Sequence, residues 1–346
     1  MPQYDAVLLV SFGGPEGPAD VLPFLRNVTR GRGIPEERLE EVAEHYHHFG
    51  GISPINQWCR EVIEALRAEF RDAGIDLPIY WGNRNWPPML VDAVTRMTGD
   101  GVRRALAICT SAYGSYSSCR QYVEDIAAAR AAVGETAPVI DKIRHFFDHP
   151  GFIDGFAKQL EAELGKVEDA SATRVVFTAH SIPGSMEECS GPAGARYSDQ
   201  VAEAAELVAE RAGWTGPYDV VWQSRSGPPA MPWLEPDIND HLKVLASEEV
   251  DTVVVSPVGF LSDHIEVLWD LDNEAAETAA GLGLRYLRAG TPRIDADLVG
   301  MFRDLVSERV FGTPLQRLGK LPVWDPLLEG CCPARRPPAP DKHRTR

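Results

Sequence analysis

Alternation constrains this chain more than any other feature. Short apolar runs rich in β-branched residues alternate with stretches of helical period, and the series runs through twice. The spacing predicts strands over 6–10, 79–81 and 104–109, interleaved with helices over 42–46, 58–70, 91–97 and 120–132. In the second of these helices Val62, Ile63, Leu66 and Phe70 recur along one face. Asp148-His149-Pro150 interrupts the pattern, which then restarts. Helices over 152–164, 199–212, 239–246, 266–280 and 297–310 alternate with strands over 174–177, 220–223, 252–256 and 284–288. Strands joined by helices pair in parallel, because each crossover returns the chain to the same end of the sheet. The expected fold is α/β, with two similar Rossmann-like lobes, each a parallel sheet flanked by helices. The lobes are expected over 1–150 and 151–330. A tail over 331–346 follows, and from Pro333 onward its Pro- and Arg-rich composition predicts disorder.

A chain of 346 residues suits one large domain or two of ordinary size. Its formal charge is −17, from 51 acidic and 34 basic residues. That argues against nucleic acid as a partner, since neutralising phosphate needs clustered Lys and Arg. No apolar run approaches the roughly 20 residues that span a bilayer, and the N-terminus lacks the basic and apolar pattern of a signal peptide. The six Cys are scattered and do not form a secreted disulfide framework. The expectation is a cytoplasmic protein without integral membrane association. A dinucleotide site is not expected either. The loop Ser11-Phe12-Gly13-Gly14-Pro15-Glu16-Gly17 departs from G-x-G-x-x-G, Pro15 removes a backbone N–H, and no Walker A sequence occurs.

His180 and Glu266 each sit just past a short buried-looking strand. Ligands of open α/β sheets bind outside the carboxyl ends of the strands. A neutral imidazole and a carboxylate placed there can hold a divalent metal or move protons. Glu266, Asp270 and Glu274 follow at i, i+4 and i+8, one face of a helix, where like charges repel by roughly 0.2–0.5 kcal/mol per pair. Such an acidic ladder suits a path for cations or protons. Residue types alone leave a second reading open, in which Val267, Leu268 and Leu271 are buried and the acids are a solvated face.

Five polar, Gly-rich or aromatic clusters fall at loop positions where core packing does not demand them. They begin at Val28, Phe49, Gly82, Thr110 and Trp222. Arg groups and aromatic rings together suit a large flat ligand bearing carboxylates. Five motifs then carry a resemblance. They are Leu9-Val10-Ser11-Phe12-Gly13-Gly14-Pro15, Gly50-Gly51-Ile52-Ser53-Pro54, Thr178-Ala179-His180-Ser181-Ile182-Pro183, Gln223-Ser224-Arg225, and the stretch from Gly259-Phe260 through Ser262-Asp263-His264-Ile265-Glu266-Val267-Leu268. Their order and content resemble the ferrochelatases, which insert Fe²⁺ into a porphyrin, and in particular the soluble actinobacterial branch that acts on coproporphyrin III.

The resemblance implies a lyase of heme biosynthesis that yields Fe-coproporphyrin III. His180 and Glu266 would be catalytic and would meet the substrate Fe²⁺, with Asp270 and Glu274 as the acidic ladder on a helix with a π-type widening. Ser53 and Tyr122 would bind the porphyrin, and Arg30 would face a propionate, as Arg32 and Arg84 could. Phe12 stands where related soluble enzymes carry a Tyr ligand to the product iron, and it cannot coordinate. The alternatives are a ferrochelatase acting on protoporphyrin IX and a noncatalytic tetrapyrrole- or metal-binding protein on the same fold. Partners would be the porphyrin and, by transient contact, other heme-pathway enzymes. Among the cysteines, Cys59 and Cys109 read as buried. Cys119, Cys189, Cys331 and Cys332 remain, and four thiolates are what a 2Fe–2S cluster needs. The resemblance extends to such a cluster, whereas the residues alone fit incidental thiols on a mobile tail equally well.

Overall fold

Strand β1 (Ala6–Ser11) is buried at every position, as expected of a strand covered on both faces. The computed structural model describes residues 3–191, 195–227, 230–248, 250–323 and 331–334. Within them, β1 is flanked by β2 (Ile79–Asn83) and β3 (Arg104–Cys109), with β4 (Val139–Lys142) outside β3. The second half repeats the plan. Strand β5 (Thr173–His180) lies between β6 (Tyr218–Gln223) and β7 (Thr252–Ser256), with β8 (Arg285–Arg288) outside β7. All pairings are parallel, in the orders β2-β1-β3-β4 and β6-β5-β7-β8. The two parallel sheets flanked by helices are those the alternation predicts. Strand β4 is the one the pattern hides, because Asp141 and Lys142 make an edge strand read as polar.

The first lobe carries helices α1 (Val21–Val28), α2 (Glu36–His48), α3 (Ile55–Asp72), α4 (Leu90–Gly99) and α5 (Gln121–Val133). A π-type turn, Tyr116–Arg120, leads into α5. The second carries α6 (Pro150–Leu164), the short α7 (Gly184–Glu187), α8 (Tyr197–Arg211), α9 (Ile238–Ser247), α10 (Ile265–Val267), α11 (Ala276–Leu282) and α12 (Ala296–Val310). Between α10 and α11 the helix widens into a π-type stretch, Leu268–Ala275. It ends at Gly283, whose φ of 76° is the left-handed conformation that glycine adopts most readily.

The pattern break at 146–151 is not a loose linker. Phe146, Phe147 and Phe152 are fully buried, within a core cluster that also takes residues from β1, α3, β5, β7 and α12. Helix α12 packs on both α6 and α3, so the end of the chain ties the halves together. The Trp58 indole donates to the Arg293 carbonyl at 2.8 Å, and the Tyr113 hydroxyl to the Val258 carbonyl at 2.9 Å. Arg144, buried beside β4, is held by both carboxylate oxygens of Glu308 on α12. The crevice between the lobes therefore has firmly joined walls.

Candidate active site

Strand order brings the site together. In each sheet the chain leaves the central strand in opposite directions, so a switch point falls between β1 and β3 and another between β5 and β7. His180 is the last residue of β5, in register with Gln223 of β6. Glu266 comes from α10, at the end of the loop that leaves β7. That loop lies flat on β5. The Gly259 N–H donates to the Thr178 carbonyl at 3.0 Å. A Cβ at Gly259 would fall 2.6 Å from the Ala179 Cα, so only glycine allows the approach. Farther on, Arg288 at the end of β8 clamps the loop and helix through Asp263 at 2.5 Å and Asp272 at 3.1 Å.

The imidazole Nδ1 of His180 bonds the Ser181 carbonyl, which assigns that nitrogen its proton and turns Nε2 toward Glu266. Nε2 lies 3.6 Å from Glu266 Oε1, and the two side chains are 36% and 41% exposed. Burial opposes a charge on His180, but the Glu266 carboxylate, the Ser181 carbonyl and Asp270 outweigh it and raise the imidazole to about 9. Burial works against the Glu266 carboxylate as well, yet His180 and His264 hold it below its ordinary value. The open face leaves water at both groups and moderates these effects.

Asp270 and Glu274 follow Glu266 along the π-type stretch, and the charges of Glu266 and Glu274 both act on Asp270. Asp270 Oδ2 accepts from Gln223 Nε2 at 3.2 Å and from the Ser224 hydroxyl. Burial, then the charge of Glu266 and that of Glu274, push Asp270 up to about 7 against those two bonds. Glu274 is exposed at the outer end, and its Oε1 accepts from the Trp269 indole at 2.8 Å. Across the crevice, α2 packs on α10, and Tyr46 lies close enough to Glu266 for that charge, after burial, to raise its hydroxyl. Behind Tyr46 the Phe24 ring packs edge-on against Phe12 and Trp86.

The sequence that builds this histidine–carboxylate pair, the carboxylates beyond it and the aromatic wall matches a known family. The family model described as Ferrochelatase covers residues 4–310. The chain belongs to the ferrochelatase family. The coproporphyrin III ferrochelatase of Nocardia farcinica is 53% identical over 347 residues, covering 97% of this chain and 98% of that relative. The enzyme of the same name from Streptomyces griseus is 50% identical, with 96% and 94% covered. Among solved structures, SirB from Bacillus subtilis with Fe³⁺ superposes with a TM-score of 0.53 at 11% identity, over 90% of this chain and 96% of that one. At that identity the likeness is one of fold.

Three other positions of the ferrochelatase resemblance, Ser53, Tyr122 and Arg30, all belong to the first lobe. Ser53 is 4% exposed against Gly14, where a Cβ would come within 2.6 Å of the Ser53 Cβ. Tyr122 is buried, with the Arg84 guanidinium 4.5 Å from its ring centre and 5.8 Å from that of Phe12. Arg84 is already paired with Asp125, so it is committed inside the lobe and does not reach out as a free propionate partner. Arg30 and Arg32 are exposed, and Arg30 bonds Asn27 at 2.5 Å. Gln223, Ser224, Tyr46 and the Trp269–Glu274 contact have no role in the sequence reading. Only the first two carried a signal, as part of a motif whose link to Asp270 is tertiary.

Three of the cysteines of the ferrochelatase chain, Cys109, Cys119 and Cys332, lie near Lys142 at the end of β4. Cys59 and Cys109 are fully buried, as expected. Cys119 is also buried, and the Cys331 and Cys332 sulfurs stand 3.1 Å apart. Cys332 Sγ accepts from the Gly191 N–H at 3.3 Å, two residues past Cys189, and the Arg120 guanidinium donates to the Cys331 carbonyl at 3.0 Å. Among the described residues no group of three or more His, Cys, Asp or Glu is arranged to hold a single metal ion. The tail beyond Ala334, predicted to be disordered, lies outside the described residues. No helix among them is long and apolar enough to cross a membrane.

Proposed function

We propose that this protein inserts Fe²⁺ into coproporphyrin III, giving the iron porphyrin and two protons, as a lyase of heme biosynthesis. The observation that carries the proposal is His180 Nε2 facing Glu266 at 3.6 Å, with Asp270 and Glu274 leading away. Insertion breaks two pyrrole N–H bonds and leaves both electron pairs on nitrogen, where they bind the metal, so no electron is transferred. His180 takes each proton at Nε2 in its neutral form. In the free protein Glu266 keeps His180 protonated up to about 9. An arriving divalent cation opposes that charge and releases the proton to the ladder. Asp270, poised near 7, takes up and gives up protons at neutral pH. One Fe²⁺ moving inward against two protons moving outward leaves the charge along the ladder unchanged.

The flat ring would lie against the aromatic wall of Phe12, Tyr46 and Trp86, with Ser53 and Tyr122 in its surround and exposed Arg30 meeting a propionate. The relatives' names favour coproporphyrin III, whose four propionates suit exposed arginines. Phe12 offers no donor atom to the product iron. An anaerobic absorbance assay comparing coproporphyrin III with protoporphyrin IX tests the reading. We expect higher kcat/KM with coproporphyrin III, and His180→Ala to lose about 100-fold or more while still binding porphyrin. Near wild-type turnover by His180→Ala would overturn the mechanism. Faster use of protoporphyrin IX would overturn the substrate, and porphyrin binding without metal insertion would favour a noncatalytic protein.

A 2Fe–2S cluster on Cys119, Cys189, Cys331 and Cys332 belongs to the same reading. Its support is Lys142, only 8% exposed, with no carboxylate among the described residues in salt-bridge reach. The ammonium bonds the Ile143 carbonyl at 3.2 Å and lies beside the thiols of Cys119, Cys109 and Cys332. A buried ammonium needs a compensating negative charge, and a thiolate-bound cluster supplies one. The cluster's role would be to cross-link the end of the chain to both lobes, apart from the His180 chemistry.

A further inference from the structure

Beside Glu274, the outer acid of the ladder, the two lobes meet in a contact that the reaction as described does not use. Trp269 projects from the π-type stretch onto α2, where its ring lies 3.9 Å from that of His45 at an interplanar angle of 6°. The His48 ring meets the same indole edge-on at 5.6 Å. On its other side the indole N–H donates to Glu274 Oε1 at 2.8 Å. Trp269 and Glu274 are five residues apart, the hydrogen-bonding period of a π turn. In a regular α-helix residues at that spacing do not share a face. The widened turn thus lets Glu274 serve two neighbours, Asp270 in the ladder and Trp269 at the lobe contact.

A stacked indole has little freedom, so the N–H it directs fixes the carboxylate it holds. Glu274 is exposed and would otherwise sweep many rotamers. We propose that Trp269, latched on His45, is a positioning residue for Fe²⁺ uptake: it sets Glu274 as the outermost carboxylate that receives the hydrated cation. The proposal rests on the ladder being the path for iron. It assigns Trp269 no contact with the porphyrin.

The test is steady-state kinetics on the full-length chain, varying Fe²⁺ and porphyrin separately. Trp269→Phe keeps a ring for His45 to stack on and removes the N–H. We expect KM for Fe²⁺ to rise about two- to tenfold, the worth of one hydrogen bond, with KM for the porphyrin unchanged. Glu274→Gln should give a comparable rise, and the double variant no further one, because both changes remove the same device. Trp269→Met, which also lacks a donor, repeats the test if the Phe variant is unstable, and the two should agree. An unchanged KM for Fe²⁺ in Trp269→Phe beside a raised one in Glu274→Gln would overturn the latch and leave the ladder standing. An unchanged value in Glu274→Gln would overturn the ladder as the iron path, and the latch with it. A parallel rise in both KM values would show that Trp269 merely holds the lobes together.

Discussion

Replacing Glu266 by Gln keeps the shape of the pair and removes its charge. Burial by itself drives the His180 imidazole down, and Glu266 is the foremost influence that reverses it, to about 9 from an ordinary value of 6.5. Without that carboxylate the imidazole should fall back toward its ordinary value of 6.5. At pH 7.5 the protonated fraction then falls from about 97% toward about 9%, by the titration equation for values of 9 and 6.5. Proton-detected NMR of the His180 ring reads this directly, with His180→Gln fixing the assignment. Stability should follow the same shift. The folded-state value lies above the unfolded one, so the pair's contribution is complete below about 6.5 and is lost as pH rises through about 9. Denaturant unfolding of the wild type should weaken across that window, and Glu266→Gln should not. Asp270 should also become more acidic, since the Glu266 charge helps to raise it. A His180 titration that moves by less than about one unit in the variant, a change within ordinary scatter, would refute the electrostatic coupling on which the mechanism depends.

Two other outcomes are expected. Gly259→Ala would place a Cβ 2.6 Å from the Ala179 Cα, a backbone atom that cannot swing aside, so the loop must lift from β5. We expect a loss of about 1–3 kcal/mol in chemical denaturation and a larger fall in kcat than in porphyrin affinity, since the same loop carries Glu266. Activity and stability both at wild-type level would show that the contact does not set the site. For the cysteines, protein made with ample iron and kept anaerobic should carry iron and acid-labile sulfide in equal amounts. Ser at Cys119, Cys189, Cys331 or Cys332 should remove both and lower stability, and Lys142→Met should reduce cluster content. Absence of sulfide would reject the cluster, whereas loss with the tail cysteines but not with Cys119 would reject the ligand set.

The sequence by itself determined seven of the eight strands among the described residues and the helices between them, apart from α1 and α7, because burial on both faces demands unbroken apolar runs such as Val253-Val254-Val255, and helical packing demands periodic ones. It also placed His180 and Glu266 at strand ends and put the three acids on one helix face, since these are consequences of local spacing. The family motifs named the chemistry. What it could not show is neighbourhood. That β5 lies beside β7, and not at an edge, follows from the direction of each crossover, and this alone brings His180 to Glu266. The π-type widening was implied by the family resemblance alone, since no local propensity distinguishes it from a regular helical turn. Asp270 becomes a group poised near neutrality through burial, two like charges and the Gln223 and Ser224 bonds, all supplied by segments distant in the chain. Lys142 lies on β4, which the sequence pattern hides, and packing encloses it beside thiols. Tyr46 and Trp269 carry no signal in the sequence, and only the packing of α2 on the second lobe gives them their neighbours. Charge and proximity across a crevice are tertiary quantities, because desolvation and Coulomb energy depend on distances that only the closed fold sets.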